Sequence, residues 1–104
     1  MEISGIELET KIKNGEKIIV DIYGLWCRPC MEMKPTFEKV ASENDTDVQM
    51  YTIDVDVNRD RMIEMGVRSV PMIKSFSGGK EIYSKPGIHL ENELKELIKD
   101  LQNG

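Results

Sequence analysis

The sequence contains few of the side chains that hold metal ions or build disulfide frameworks. Its 104 residues include only two cysteines, Cys27 and Cys30, and a single histidine, His89. A structural zinc site uses four ligands, usually cysteine or histidine, so a metal-binding module is a weak hypothesis for this chain. The two cysteines can pair only with each other or with a partner molecule. In a reducing compartment such a lone pair is more often catalytic than structural.

An excess of positive charge and long apolar runs are also absent. The chain has 14 Lys and Arg residues against 19 Asp and Glu residues, a net charge of −5. This balance argues against nonspecific nucleic-acid binding, which needs basic patches. No segment approaches the roughly 20 apolar residues that cross a bilayer, and Met1–Gly5 does not resemble a signal peptide. We therefore expect no nucleic-acid or membrane partner and a cytoplasmic location.

The apolar patterns predict a single small α/β domain over residues 1–104. The nearly continuous apolar run Ile18–Ile22 is typical of a central strand that is buried on both faces. The expected helices lie near residues 5–13, 27–43, 58–65 and 90–101, and the expected strands near 17–23, 48–55, 70–76 and 81–84. A β-α-β beginning and a β-β-α end predict a mixed sheet with helices on both faces. Nothing in the sequence requires a second subunit, so we expect a monomer.

The most informative segment joins the first strand to the second helix and carries both cysteines. Cys27 is expected at the N-terminus of this helix, where free backbone amides and the helix dipole favour a thiolate over a thiol. The charge of Arg28 acts in the same direction, so Cys27 is the expected nucleophile. Cys30 lies one turn further into the helix and fits a buried resolving thiol. Pro29 stiffens the turn between the two cysteines.

Asp21 interrupts the apolar strand that leads into the cysteine segment. Burial raises the pKa of a carboxyl group, and such a group can exchange a proton near neutral pH. We expect Asp21 to accept the proton of Cys30 through a water molecule when that thiol attacks. The alternative interpretation is an acid that faces the surface or lies in an edge strand.

Several motifs resemble the thioredoxin family in kind, order and spacing, from about Lys17 to Leu101. They are Val20-Asp21-Ile22, Trp26-Cys27-Arg28-Pro29-Cys30, Pro35, Val70-Pro71 and Gly87. A Cys-x-x-Cys motif alone is weak, but the tryptophan before it, the acid upstream and a Val-Pro about 40 residues later make it specific. The resemblance implies the thioredoxin fold, a central mixed sheet of four to five strands with helices on both faces. It also implies a thiol–disulfide oxidoreductase of the protein-disulfide reductase type.

The resemblance assigns further roles around the cysteines. It makes Pro71 a proline with a cis peptide bond that faces the two sulfurs. It places Trp26, Val70, Gly87 and Ile88 around Cys27 as a flat apolar docking surface. The redox-active pair is then the only cofactor, with no metal. The partners are disulfide-bearing client proteins and a thioredoxin reductase, either flavin-linked or ferredoxin-linked.

Three departures from the family pattern matter, and one of them is Thr52, at the position where the family often has a buried lysine beside the acid. Arg28 stands where the family usually has glycine, and its charge should stabilise the reduced form and make the disulfide more oxidising. The protein could therefore act as a disulfide oxidase or isomerase. Nothing in the sequence excludes a redox-gated binding module on the same scaffold. The family's first strand is expected to be reduced to Met1–Ile3 or missing. His89 is expected at the surface, at the start of the last helix.

Overall fold

Four helices and four strands follow one another in the order that the sequence predicts. The computed structural model describes residues 1–104. Its elements are α1 (Gly5–Lys13), β1 (Ile18–Tyr23), α2 (Arg28–Glu43), β2 (Gln49–Asp54), α3 (Arg59–Glu64), β3 (Met72–Ser77), β4 (Lys80–Pro86) and α4 (Glu91–Asn103). The predicted α/β class is confirmed, with small shifts at the ends of the elements. None of the four helices combines the length and the apolar character that crossing a bilayer requires.

The strands form one mixed sheet in the order β2-β1-β3-β4. β1 pairs in parallel with β2, and α2 provides the connection between them. β3 pairs antiparallel with both β1 and β4. All six residues of β1 are buried, because the strand is central and both of its faces are covered. The sequence pattern predicted this strand correctly.

A two-residue loop joins β3 to β4. Ser77 pairs with Lys80, so only Gly78 and Gly79 lie between the strands. Both glycines have positive φ, 61° and 82°, as a type I′ hairpin turn requires. The two glycines therefore permit the tight turn that returns β4 beside β3, and the pairing of the two strands shifts register between Ser75 and Phe76.

The core consists of two apolar layers, one on each face of the sheet. One layer joins the sheet to α2 and α4, and contains Ile19, Met33, Phe37, Val40, Val48, Met50, Ile73, Leu94, Leu97, Ile98 and Leu101. The other joins the sheet to α1 and α3, and contains Ile3, Leu8, Ile18, Val20, Ile22, Ile53, Met62, Met72 and Phe76. Because side chains alternate along a strand, Asp21 shares the α2 face with Ile19.

The expected reduction of the first strand is confirmed. Only an isolated parallel bridge between Glu2 and Thr52 remains beside β2, so the sheet has four strands. The Glu2 carboxylate accepts hydrogen bonds from the hydroxyl of Tyr23 at 2.9 Å and from that of Thr52 at 2.7 Å. It also accepts one from the backbone N–H of Asp54 at 3.1 Å. These contacts tie the N-terminus to the end of the sheet where β1 leads toward the cysteines.

Candidate active site

The two cysteines lie where β1 ends and α2 begins. Cys27 is the N-cap of α2, and its sulfur accepts the backbone N–H of Cys30 at 3.3 Å. Pro29 occupies the first turn of the helix, where the N–H that proline lacks would have no helical partner. This start brings the two cysteines to a Cα–Cα distance of 5.3 Å, and they form a disulfide.

The two sulfurs differ in depth. Cys30 is completely buried, whereas Cys27 keeps 5% of its surface exposed. The Cys27 sulfur also lies 3.7 Å from the carbonyl oxygen of Val70, which places it next to the Val70–Pro71 peptide. Cys27 is therefore the sulfur that a client could reach first, and the prediction that Cys30 is the more buried of the two is confirmed.

Asp21 is buried in the sheet on the face that α2 covers. It is only 1% exposed, and its Oδ1 atom has no hydrogen-bond partner. Loss of solvent is the main cause that raises the pKa of Asp21 to about 7. The alternative of a surface-facing or edge-strand acid is excluded, because the strand is central and its six residues are all buried. A carboxyl group in this position can gain or lose a proton at neutral pH.

Three charged side chains modulate Asp21. Lys34 of α2 lowers its pKa, while the carboxylates of Glu2 and Glu38 raise it by smaller amounts. The Lys34 ammonium also lies over the ring of Tyr23, 5.5 Å from the ring centroid. Asp21 therefore has a nearby cation but no direct ion pair, so burial controls its protonation.

The segment before β3 and the loop after β4 meet beside Cys27. The Val70–Pro71 peptide bond is cis, as the sequence resemblance implies. The backbone N–H of Gly87 donates to the carbonyl oxygen of Pro71 at 2.8 Å. Ile88, the next residue, exposes 47% of its surface. The structure thus joins Pro71 to the Gly87–Ile88 segment through this hydrogen bond.

Trp26 lies on the surface directly before Cys27. Its side chain is 69% exposed, and its indole N–H donates to Asp56 Oδ2 at 2.6 Å. The indole also covers Gly24 so closely that a Cβ atom there would lie 2.7 Å from the ring. Trp26 is therefore not a core residue, and its ring is held in one orientation at the rim of the site.

The sequence and the fold match known proteins closely. The family model described as Thioredoxin matches residues 1–100 of the 104. The chain belongs to the thioredoxin family. A thioredoxin from Mycoplasmoides gallisepticum is 37% identical to it over 93 residues, which is 89% of this chain and 92% of that protein.

Solved structures of thioredoxins agree with this assignment. A mutant thioredoxin from Halobacterium salinarum superposes with a TM-score of 0.85 at 31% identity, and the match covers 97% of this chain and 88% of that one. Chloroplastic thioredoxin z also gives a TM-score of 0.85, at 29% identity and with coverage of 99% and 94%. As a member of the thioredoxin family, the protein is a thiol–disulfide oxidoreductase with protein-disulfide reductase activity. Its partners are disulfide-bearing client proteins and a reductase that regenerates its dithiol.

A shallow groove extends the thioredoxin site away from Cys27. Its volume is about 220 Å³. The apolar residues that line it are Trp26, Val55, Met62, Ile63, Val67 and Val70. The groove therefore begins at the two residues that flank Cys27 and runs toward α3. Six of its ten lining residues are apolar, and the other four, Asp56, Arg59, Arg68 and Ser69, are polar or charged.

Arg28 follows Cys27 but points into solvent. Its side chain is 91% exposed, and its Nε lies 3.5 Å from the carboxylate of Glu32, one turn along α2. Exposure and this opposite charge weaken the electrostatic effect of Arg28 on the neighbouring sulfur. The structure thus supports a smaller contribution from Arg28 than its position next to Cys27 suggests.

One prediction is wrong. His89, expected at the surface, is only 3% exposed. It lies between the Gly87–Ile88 segment and α4, and both of its ring nitrogens have partners. A lone histidine shows no periodicity, so no pattern in the sequence indicates its burial. No group of three His, Cys, Asp or Glu side chains is arranged to hold a metal ion.

Proposed function

We propose that Cys27 is the attacking thiolate and Cys30 the resolving thiol in the reduction of client disulfides. The observation that carries this proposal is the position of Cys27 at the start of α2, with the backbone N–H of Cys30 directed at its sulfur from 3.3 Å. A negative sulfur gains from this N–H and from the helix dipole. Cys30, completely buried, has no comparable access to a client.

In the first step the reduced protein attacks a client disulfide. The Cys27 thiolate forms a bond to one client sulfur, and the bond between the two client sulfurs breaks. The second client sulfur leaves as a thiolate and takes a proton from solvent. The product is a mixed disulfide between Cys27 and the client, with no net change in the number of disulfides.

In the second step the Cys30 thiolate attacks the Cys27 sulfur, and the bond between Cys27 and the client breaks. The client sulfur leaves as a thiolate, takes a proton from solvent, and the client is released as a dithiol. Cys30 must lose its proton to become a nucleophile. We assign Asp21 as the acceptor, acting through a water molecule, because its pKa of about 7 lets it take a proton at neutral pH. Two electrons have then passed to the client, and the Cys27–Cys30 disulfide remains.

Four residues form the docking surface in this proposal. Val70, Pro71 and Gly87–Ile88 lie beside Cys27, and Trp26 bounds the surface on the side of the groove. The Pro71 carbonyl is already paired with Gly87, but the backbone of Val70 makes no backbone–backbone hydrogen bond and can pair with an extended client strand by β-augmentation. The exposed Ile88 and Trp26 side chains supply apolar contact area.

The regenerating enzyme and the location complete the proposal. A flavin-linked or ferredoxin-linked thioredoxin reductase returns the Cys27–Cys30 disulfide to the dithiol. We assign this electron transfer to the cytoplasm, a reducing compartment in which an isolated cysteine pair serves catalysis. The main alternative concerns the direction of electron transfer. If the same site accepts electrons from client thiols, the protein acts as a disulfide oxidase or isomerase.

An insulin-reduction assay with dithiothreitol as electron donor tests the function. We expect steady turnover by the wild-type protein and none by Cys27→Ser. A protein that oxidises reduced client cysteines faster than it reduces insulin would support the oxidase alternative. A protein that captures partners without turnover in either direction would support a redox-gated binding module.

A further inference from the structure

The only histidine of the chain is buried beside the docking surface. His89 is 3% exposed and follows Gly87–Ile88 directly in sequence. A buried imidazole is costly unless its polar atoms have partners. Its contacts therefore show which parts of the structure it joins.

The contact with Gly87 determines which ring nitrogen carries the hydrogen in the neutral imidazole. Nδ1 lies 3.0 Å from the carbonyl oxygen of Gly87, and Nε2 lies 2.9 Å from the hydroxyl of Tyr83. A carbonyl oxygen can only accept a hydrogen bond, so Nδ1 carries the hydrogen and donates. Nε2 of the neutral ring then has a free lone pair, and it accepts from the Tyr83 hydroxyl.

Tyr83 is suited to this donor role. Burial is the main cause that raises its pKa, and the carboxylate of Glu93 adds to the effect. The phenol therefore keeps its proton. Its ring also contacts the imidazole edge-on, with centroids 5.8 Å apart and planes at 75°. Tyr83 belongs to β4, so the histidine is anchored to the sheet.

The backbone of His89 makes a further contact with α2. Its N–H donates to the sulfur of Met33 at 3.2 Å, and Met33 lies one turn beyond Cys30 in the same helix. Gly87 meanwhile donates its own N–H to Pro71 at 2.8 Å and has a φ of +98°. The segment between β4 and α4 is thus fixed from three sides.

We propose that His89 is a positioning residue that holds the Gly87–Ile88 segment in the conformation that docks clients. The proposal rests on the assignment of that segment to the docking surface. The imidazole holds the carbonyl of Gly87, and the N–H of the same glycine donates to the carbonyl oxygen of Pro71. A segment that is ordered before binding loses less entropy when a client docks. His89 therefore lowers KM without taking part in electron transfer.

Nuclear magnetic resonance tests the ring contacts directly. A protein labelled with ¹⁵N-histidine gives the signals of one imidazole, because His89 is the only histidine. We expect the Nδ1–H tautomer in the wild-type protein at neutral pH. Free histidine favours the other tautomer, so a signal from Nε2–H, or an average of the two forms, would overturn the assignment.

Steady-state reduction of insulin tests the role. His89→Leu introduces an apolar side chain of similar size and removes both ring contacts, and we expect KM to rise about fivefold with kcat within about twofold. His89→Asn keeps an amide donor near the position of Nδ1, so it should restore most of the wild-type KM. Tyr83→Phe removes only the hydroxyl and should fall between the two.

Tyr51→Phe is the matched control. The hydroxyl of Tyr51 also donates a hydrogen bond to a side chain, that of Gln49, but both residues lie on β2, outside the docking surface. Its KM should equal that of the wild-type protein. An unchanged KM in His89→Leu, or a loss of kcat alone, would overturn the positioning role. Full activity in Cys27→Ser would instead overturn the proposed nucleophile, so the two claims are separated in one assay.

Discussion

The backbone N–H of Cys30 is directed at the sulfur of Cys27, and the two atoms are 3.3 Å apart. One turn of helix separates the residues, so the first cysteine occupies the N-cap while the second supplies a donor from inside the helix. A thiolate at Cys27 strengthens this hydrogen bond, whereas a thiolate at Cys30 would be buried without such a donor. This asymmetry gives the two cysteines different chemistry.

The asymmetry predicts which cysteine holds a client. In Cys30→Ser the second step is blocked, so mixed disulfides with the client should accumulate on Cys27. Cys27→Ser removes the accessible nucleophile and should capture little. Incubation with an oxidised client protein, followed by non-reducing electrophoresis and mass spectrometry, measures both yields. Greater capture by Cys27→Ser would reverse the two roles.

Asp21 predicts an unusual dependence of stability on pH. Its pKa is about 7 in the folded protein against 3.8 in the unfolded chain. Between these two pKa values the folded state binds more protons than the unfolded chain, so the stability of the fold decreases as the pH rises. Above pH 7 the full free-energy cost of burying an ionised Asp21 is present. Asp21→Asn should therefore raise the free energy of unfolding at pH 8 by up to about 4 kcal/mol, and change it little at pH 4. Urea denaturation at both pH values measures the difference.

A surface acid provides the control for this experiment. Asp100→Asn changes an exposed residue of α4 and should leave the pH profile of stability unaltered. The proposed proton transfer adds a kinetic expectation for Asp21→Asn, a resolving step slowed by at least about tenfold at neutral pH. Rapid-mixing measurements of client release test it. A more stable variant with an unchanged rate of release would show that Asp21 has no role in the chemistry.

Much of this site could be predicted from the sequence because its signals are local. An apolar run with one acid predicts β1 and Asp21, and the helical pattern that begins at Cys27 predicts the start of α2. The cis proline needed the family resemblance, since no local pattern distinguishes Pro71 from an ordinary proline. The positions of Asp21 and of the two cysteines depend on local backbone structure, which a few neighbouring residues determine.

The contacts that the sequence did not predict join residues far apart in the chain. The hydrogen bond from Trp26 to Asp56 connects the cysteine segment with the turn before α3. The backbone N–H of His89 contacts the sulfur of Met33, which is 56 residues away. Whether a polar side chain is buried is decided by the partners that tertiary structure supplies. No pattern near His89 carries that information.

The close contact between Gly24 and Trp26 gives a further prediction. In Gly24→Ala the new methyl group would lie 2.7 Å from the indole, so the ring must move. The ring is exposed and can shift, hence we expect a loss of stability of under about 1 kcal/mol. The hydrogen bond to Asp56 should weaken, and the emission of this single tryptophan should change. Asp56→Asn removes the charged acceptor without the methyl group and should produce part of the same change. Identical spectra for both variants and the wild-type protein would contradict the fixed orientation of the ring.

Arg28 and Glu32 predict opposite changes of the redox potential. The positive charge of Arg28 favours the thiolate and therefore the reduced form, so Arg28→Gln and Arg28→Gly should lower the potential. Because Arg28 is 91% exposed and Glu32 lies 3.5 Å from it, we expect a decrease of only about 10 mV. Glu32→Gln removes the opposing charge and should raise the potential by a similar amount.

Arg61 pairs with Glu9, so Arg61→Gln controls for the loss of one positive charge elsewhere. Equilibration with glutathione buffers measures all four variants, and the differences should shrink at high salt if they are electrostatic. A higher potential in both Arg28 variants would refute the charge argument.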